Sequence, residues 1–325
     1  DYTIDQDNFR CIPCPYKRFS MNPLPQISFA IFLYKLRADV LFLTQTGLTP
    51  LFYFGRNITF THDLTMLRFA RAGRLPEWLH KLRMIGYRLL FWKGNRFATQ
   101  ILVPSNFVAK DLAKNFPFTR DKITTIYESS EPPLSGKAER PKAPEITKPY
   151  LFHVGSPFPH KNIERLVEAF TLLKETRPEL KLVLAGKKEF YFESLENAIA
   201  DHEYRNDIVI TGYISDEELK WLYQNAACYV LPSLSEGFGL PGLEAMAHGC
   251  PLVSSNATCL PEIYGPAAEY FDPYSTKKMA VAIDKVLSST KKQKELIALG
   301  EKQLQRYSWH KMTKQIHETL LQTAN

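Results

Sequence analysis

Short β-branched runs alternate along the chain with stretches whose apolar residues recur at three- and four-residue spacing. Parallel sheets with helices on their faces produce this pattern. In the front half, residues 40–44, 58–61, 101–103 and 123–127 read as strands. Pro76 suits the first position of a helix running to about residue 91. Ser105 suits the N-cap of a helix through Lys114.

The alternation then stops. Residues 128–149 hold Pro132, Pro133, Pro141, Pro144 and Pro149 with Ser and Lys between them, which is linker composition. Beyond it the pattern restarts, with strands at 150–154, 180–185, 208–211, 228–231 and 252–254. Helices are expected at 162–176, at 193–202, from Asp216 and from about Leu240. The second half thus predicts a doubly wound domain of its own. The expected division is a front domain with linker over 1–148, a back domain over 149–308, and a C-terminal helix over 309–325 returning to the front.

The 325 residues are 45% hydrophobic and 23% charged, enough for two ordinary domains. No apolar run approaches the ~18 residues of a membrane-spanning helix. Residues 1–10 are polar and acidic, unlike a secretory leader, so a cytoplasmic location is expected. Five cysteines are too few for a disulfide scaffold. Cys11 and Cys14 form C-x-x-C, but there is no second such pair and two prolines flank the motif. Neither a metal nor a redox role is expected of them.

Charge is uneven. Residues 1–148 hold 22 Lys and Arg against 12 Asp and Glu; the remainder holds 19 against 22. A basic front half predicts an anionic partner. Between Leu67 and Phe97 lie Arg68, Arg71, Arg74, Lys81, Arg83, Arg88, Lys93 and Arg96, one acid (Glu77), and interleaved Trp78, Leu79, Leu82, Leu89, Leu90 and Trp92. Such a segment can lie on an anionic membrane surface. The alternative is a core-facing helix with a solvated basic face. No nucleic-acid partner is expected.

The densest chemistry is the run from Ser235 to Ala245, S-E-G-F-G-L-P-G-L-E-A, placed after a strand and opening a helix. Gly237 and Gly239 let backbone pass close to a ligand and offer unobstructed N–H groups. The helix behind them directs its positive end at a phosphate or a set of sugar hydroxyls. Glu236 and Glu244 can grip different parts of one extended ligand. A capping Glu followed by a solvated helix Glu is the plainer alternative.

This run resembles the E-x7-E signature of family 4 glycosyltransferases, retaining enzymes of the GT-B architecture, in which two Rossmann-like domains face each other. The likeness continues in His153-Val154-Gly155 with Pro159-His160-Lys161-Asn162, in Leu184-Ala185-Gly186-Lys187, and in Thr211-Gly212-Tyr213-Ile214-Ser215. It extends through Tyr270-Phe271-Asp272-Pro273 and Tyr307-Ser308-Trp309. Thr61-His62-Asp63-Leu64 and Val103-Pro104-Ser105 fit in the front half.

By that resemblance, Glu236 and His62 are the catalytic candidates, touching the donor sugar from opposite sides of the cleft. Gly237, Phe238, Gly239 and Leu240 present backbone to the sugar, and Glu244 holds the ribose. Lys161 and Lys187, beside Gly155, hold the diphosphate, and Gly212, Tyr213 and Ile214 meet the base. The resemblance implies no cofactor and no metal. Asp5-Gln6-Asp7 is formally a D-x-D metal pattern, but it lies in a polar leader with no strand before it. His160 stands where the family often has Arg, and a partly exposed imidazole is expected there. The E-G-F-G-L-P form and Leu260-Pro261-Glu262 look most like mannosyltransferases, so GDP-mannose is the first donor to test, ahead of UDP-sugars, with a glycan or lipid-linked acceptor.

The family opens with a strand, a Gly-rich loop and a helix that have no match here. Roughly 50 residues, the size of a βαβ unit, are expected to be missing from the front domain. Two other functions stay open. One is a sugar-nucleotide epimerase of the same architecture, for which the E-x7-E spacing is not expected. The other is a non-catalytic protein that keeps the donor pocket.

Overall fold

A computed structural model describes residues 8–14, 23–46, 49–69, 73–130, 136–142 and 145–325. The front part holds α1 (Pro23–Lys35), β1 (Leu41–Leu43), β2 (Asn57–Phe60), α2 (Thr65–Arg68), α3 (Glu77–Phe97), β3 (Gln100–Val103), α4 (Asn106–Asn115) and β4 (Ile123–Thr125). Its four strands form a parallel sheet in the order β1-β2-β3-β4.

The back part begins with β5 (Tyr150–Val154), α5 (Ile163–Lys174), β6 (Lys181–Ala185), α6 (Phe190–Ala198), β7 (Ile208–Gly212) and α7 (Asp216–Asn225). It continues with β8 (Cys228–Leu231), α8 (Leu240–Ala247), β9 (Leu252–Ser255), α9 (Leu260–Tyr264), β10 (Ala268–Phe271), α10 (Thr276–Leu287), α11 (Thr290–Leu304) and α12 (Trp309–Ala324). The six strands are parallel in the order β10-β9-β8-β5-β6-β7.

Strand alternation builds the core. Leu151, Leu182, Leu184 and Val230 face one side and pack with Ile163, Leu166 and Phe170 of α5 and with Met279 and Ile283 of α10. Their neighbours Tyr150, Phe152, Val183, Tyr229 and Leu231 face the other side and meet Leu222 of α7, Leu243 of α8 and Leu260 of α9. Each fully buried Leu, Ile or Phe contributes roughly 1.5–3 kcal/mol relative to exposure. On the front sheet, Ile101 and Val103 pack against Phe91, Val108 and Leu112. The opposite face, with Ile58, Phe60 and Leu102, takes Met312, Trp309, Ile316 and Leu320 of α12.

Serine fixes many helix starts. Ser105, Ser215, Ser275, Ser289 and Ser308 each accept the N–H three residues on, and Ser215 with Glu218 forms a full capping box. Three local features differ from the sequence pattern. Pro76 is the N-cap of α3 rather than its first residue. That helix runs on to Phe97, with Lys93, Gly94 and Asn95 buried. Helix α1 has no counterpart among the expected elements, since apolar residues fall on all sides of it and give no helical stripe.

The strand order creates the ligand crevice. From β5 the chain moves out to β6 and β7, then returns to add β8 on the other flank of β5. The reversal opens a crevice at the C-terminal ends of β5 and β8, the usual ligand position in such sheets. No described helix is long and apolar enough to cross a membrane. Asp5 and Asp7 lie outside the described residues. Cys11 is exposed and Cys14 partly so.

Candidate active site

Several residues singled out from the sequence follow the ends of successive strands of the back sheet. Gly155 follows β5, with φ +134°. Its N–H donates to the Ala185 carbonyl at 2.9 Å, and the Gly186 N–H donates to Gly212 at 3.1 Å. The loops after β5, β6 and β7 are thus joined by backbone. Lys187 is exposed, and so is Tyr213, while Ile214 is half-buried.

Glu236 lies in the loop after β8, with its side chain 13% exposed, and Lys161 donates to its Oε1 at 2.7 Å. Burial alone would push the carboxyl pKa up. The Lys161 ammonium, with Ser233 and His160 adding to it, outweighs burial and holds it below the ordinary range. Two groups expected to touch different parts of a donor, sugar and diphosphate, are therefore an ion pair here. His160 is buried, contrary to the partial exposure expected of it. Its carbonyl accepts from Leu234 at 2.7 Å, so the loops after β5 and β8 close over the ring. Beneath them His153 is fully enclosed, which pushes its pKa down to about 4. Its Nδ1 meets the Val230 carbonyl at 2.9 Å. Glu244, eight residues on from Glu236 and in α8, accepts from Tyr223 Oη at 3.1 Å.

The packing of the protein itself also requires the two glycines. A Cβ on Gly237 would stand 2.0 Å from the His62 carbonyl oxygen, and one on Gly239 would stand 2.3 Å from Tyr264 Oη. Close approach by protein already forbids side chains there. The loop is fastened by its carbonyls. Cys259 Sγ donates to the Glu236 carbonyl at 3.3 Å, Ser105 Oγ to Gly237 at 2.8 Å, and Tyr264 Oη to Gly239 at 2.5 Å. In a trans peptide the C=O and the next N–H point in opposite directions. Fastening the Glu236 and Gly237 carbonyls therefore turns the Gly237 and Phe238 N–H groups away from those contacts. Among the described residues neither N–H finds an acceptor. Unpaired donors in a buried loop suit an anionic or hydroxyl-bearing ligand.

His62 follows β2 on the other side of the seam, its side chain 48% exposed. Its Nδ1 faces Glu128 Oε1 at 2.9 Å and its Nε2 faces the Thr44 carbonyl at 2.9 Å. Both nitrogens meet acceptors, so the imidazolium is the form that satisfies both. Burial alone would lower its pKa; the hydrogen bond and charge of Glu128, with Thr44 and Asp63, outweigh burial and raise it. Sequence reasoning missed Glu128, which it placed in the linker, and Tyr264 and Cys259 around the loop. It read Ser105 as a helix cap and as part of Val103-Pro104-Ser105, not as a partner of the loop after β8. Glu262 was legible only as part of Leu260-Pro261-Glu262.

A histidine whose pKa is raised on folding contributes stability that is present below its unfolded value and lost as pH rises through its folded one. We expect the His62 ring to titrate above 6.5 by NMR. Glu128→Gln should bring the midpoint down. A wild-type midpoint at or below 6.5, or one indifferent to Glu128→Gln, would contradict this pairing.

Comparison with known proteins fits this geometry. A family model described as "Glycosyl transferases group 1" matches residues 136–303. The chain is 30% identical over 267 residues to O-antigen chain mannosyltransferase B of Escherichia coli, covering 80% of this chain and 68% of that protein. It is 27% identical over 206 residues to O-antigen chain mannosyltransferase RfbU of Salmonella typhimurium, covering 63% of this chain and 56% of that one. Among solved structures, WaaG, a glycosyltransferase involved in lipopolysaccharide biosynthesis, superposes with a TM-score of 0.72 at 16% identity, over 95% of this chain and 86% of that one. A sucrose-phosphate synthase from Thermosynechococcus elongatus gives 0.73 at 19% identity, over 91% and 76%. The fold is GT-B, and the chain belongs to the group 1 glycosyltransferases, the family 4 enzymes whose E-x7-E run it carries.

Proposed function

We propose that this protein transfers a hexose, mannose in first place, from a nucleoside-diphosphate sugar to a glycan or lipid-linked acceptor. The configuration at the transferred carbon is retained and no metal is used. The observation that carries the reading is the Glu236–Gly239 loop, with its carbonyls tied to protein and its Gly237 and Phe238 N–H groups left for a ligand. These N–H groups, that of Gly239, the Leu240 backbone and the Glu236 carboxylate hold the donor sugar. Glu244 holds the ribose, and Gly212, Tyr213 and Ile214 meet the base. Lys161 and Lys187, beside Gly155, meet the charge that grows on the diphosphate as its bond to the sugar breaks. His62 closes on the sugar from the front side. The similarity to O-antigen mannosyltransferases supports mannose, and hence GDP-mannose over UDP-sugars.

The acceptor side has its own support in α3. Trp78, Leu82, Ile85, Leu89 and Trp92 are all exposed and succeed one another at spacings of four and three, which puts them on one face. Ile85, Leu89 and Trp92 line a groove of about 400 Å³ with Leu67, Phe116 and Arg88. Arg88 lies three residues from Ile85, and Arg96 four residues from Trp92. Neither makes an ion pair among the described residues. This face would rest on an anionic membrane surface, as a peripheral contact on the cytoplasmic side. Lys93, counted within the basic segment of residues 67–97, does not belong to that face. It is buried and donates to the Pro50 and Tyr53 carbonyls at 2.7 and 2.5 Å, and burial lowers its pKa to about 8.

Among GDP, UDP and ADP, GDP should raise the melting temperature most, since a ligand that binds only the folded state stabilises it. Glu244→Gln keeps an acceptor for Tyr223 but removes a charge-assisted bond. It should weaken nucleotide binding about tenfold in calorimetry. Unchanged affinity in a folded variant would remove Glu244 from the ribose.

Each basic residue near an anionic surface contributes about 1 kcal/mol, decaying over a Debye length of ~8 Å. Co-sedimentation with phosphatidylglycerol vesicles should therefore rise with anionic content and fall with salt. Charge reversal at Lys81, Arg88 and Arg96 should abolish it, while reversal at Lys93 should unfold the segment instead. Indifference of the wild-type chain to such vesicles at low salt would end the membrane reading.

A further inference from the structure

The first turn of α4 is completed from across the cleft. A helix leaves its first N–H groups without partners in its own backbone. Ser105, the N-cap, takes the Val108 N–H at 3.3 Å. The next two, Asn106 and Phe107, donate to Glu262 Oε1 and Oε2 at 2.8 and 2.9 Å. Glu262 lies in α9 of the back part, and Tyr127 Oη also donates to its Oε1, at 2.9 Å. A carboxylate beside the positive end of a helix is favourably placed, and its two oxygens match the two N–H groups.

The same turn reaches the loop after β8. A serine hydroxyl has one proton to give. With its oxygen accepting from Val108, Ser105 donates that proton to the Gly237 carbonyl at 2.8 Å, and Ser105 is wholly buried. Thr65 Oγ1 meets Ser235 Oγ at 2.8 Å beside it, and the His62 carbonyl fills the space over Gly237. The Gly237 carbonyl and the Phe238 N–H belong to one rigid peptide plane. Whatever holds the carbonyl also aims the N–H.

We propose that Ser105 and Glu262 are positioning residues that make the aim of the Phe238 N–H depend on closure of the cleft. This rests on the donor-binding reading of the loop. Glu262 holds the front helix in place, Ser105 passes that placement to the Gly237 carbonyl, and the N–H on the same plane is set only when the two parts meet. When they separate, the helix N–H groups and the carboxylate return to water, while the loop loses its front-side anchor and its donor geometry with it. The sugar, which these N–H groups hold, is then bound well only by the closed form. The nucleotide, held by the back part, is bound by both.

The test compares GDP with GDP-mannose by calorimetry in the full chain, beside small-angle X-ray scattering of the free protein. Glycine costs little at an N-cap, so Ser105→Gly removes the hydroxyl and spares the helix. Ser105→Gly and Glu262→Gln should each lose about tenfold in affinity for GDP-mannose while holding GDP within twofold. Ser105→Thr, which keeps the hydroxyl, should restore wild-type binding. Glu262→Gln should also enlarge the radius of gyration. If folded Ser105→Gly and Glu262→Gln keep the wild-type ratio of the two affinities, or if Ser105→Thr is as impaired as Ser105→Gly, the coupling is wrong. If the wild-type chain binds neither GDP nor GDP-mannose, the proposed donor falls. Scattering then decides the latch alone: an unchanged radius in Glu262→Gln overturns it.

Discussion

The two halves meet at Gly237, at a point where no side chain fits. With a Cβ position 2.0 Å from the His62 carbonyl, residue 237 can only be glycine while the seam is closed. That contact decides where the loop after β8 runs, and with it which way its peptide planes face. Tyr264 sets the other end by the same means, lying within 2.4 Å of the Cβ positions of both Gly239 and Gly242 and donating to the Gly239 carbonyl. The loop is thus shaped from both sides by protein before any ligand arrives. Preorganised donors of this kind need little rearrangement when charge develops nearby.

Charge in the crevice is matched in pairs. The Glu236 carboxyl pKa is held down by Lys161 in spite of burial, and the His62 pKa is raised by Glu128. The two pairs stand on opposite sides of the seam, one on each part of the chain. A buried carboxylate with its ammonium removed would be left with an uncompensated charge, which typically costs about 3–5 kcal/mol. The Glu236 contribution has the opposite pH sense to that of His62. It is present above the ordinary carboxyl value of 4.5 and is lost as pH falls through the lower folded one.

Much of this was legible in the sequence because it is local. The strand at Tyr150–Val154, the N-cap at Ser105 and the Gly-rich turn into α8 each follow from neighbouring residues. The role of the glycines was not legible, since His62 and Tyr264 approach them from 175 and 25 residues away along the chain. Glu128 was hidden by its proline-rich surroundings, and Lys93 by a basic segment that suggested exposure. Ser105 shows the limit clearly. Its capping bond joins residues three apart, whereas its second bond spans 132 and depends on how the halves meet. Helix α1 escaped for a different reason, having no polar face to reveal a period.

On the proposed function, the Gly237 and Phe238 amides are the donors that meet the sugar nucleotide. Amide hydrogen exchange by NMR, with and without saturating GDP-mannose, addresses it directly. Both amides should exchange readily in the free protein and become strongly protected in the complex, as an N–H does on gaining an acceptor. Protection elsewhere in the back part, with these two amides unchanged, would show that the ligand sits without them.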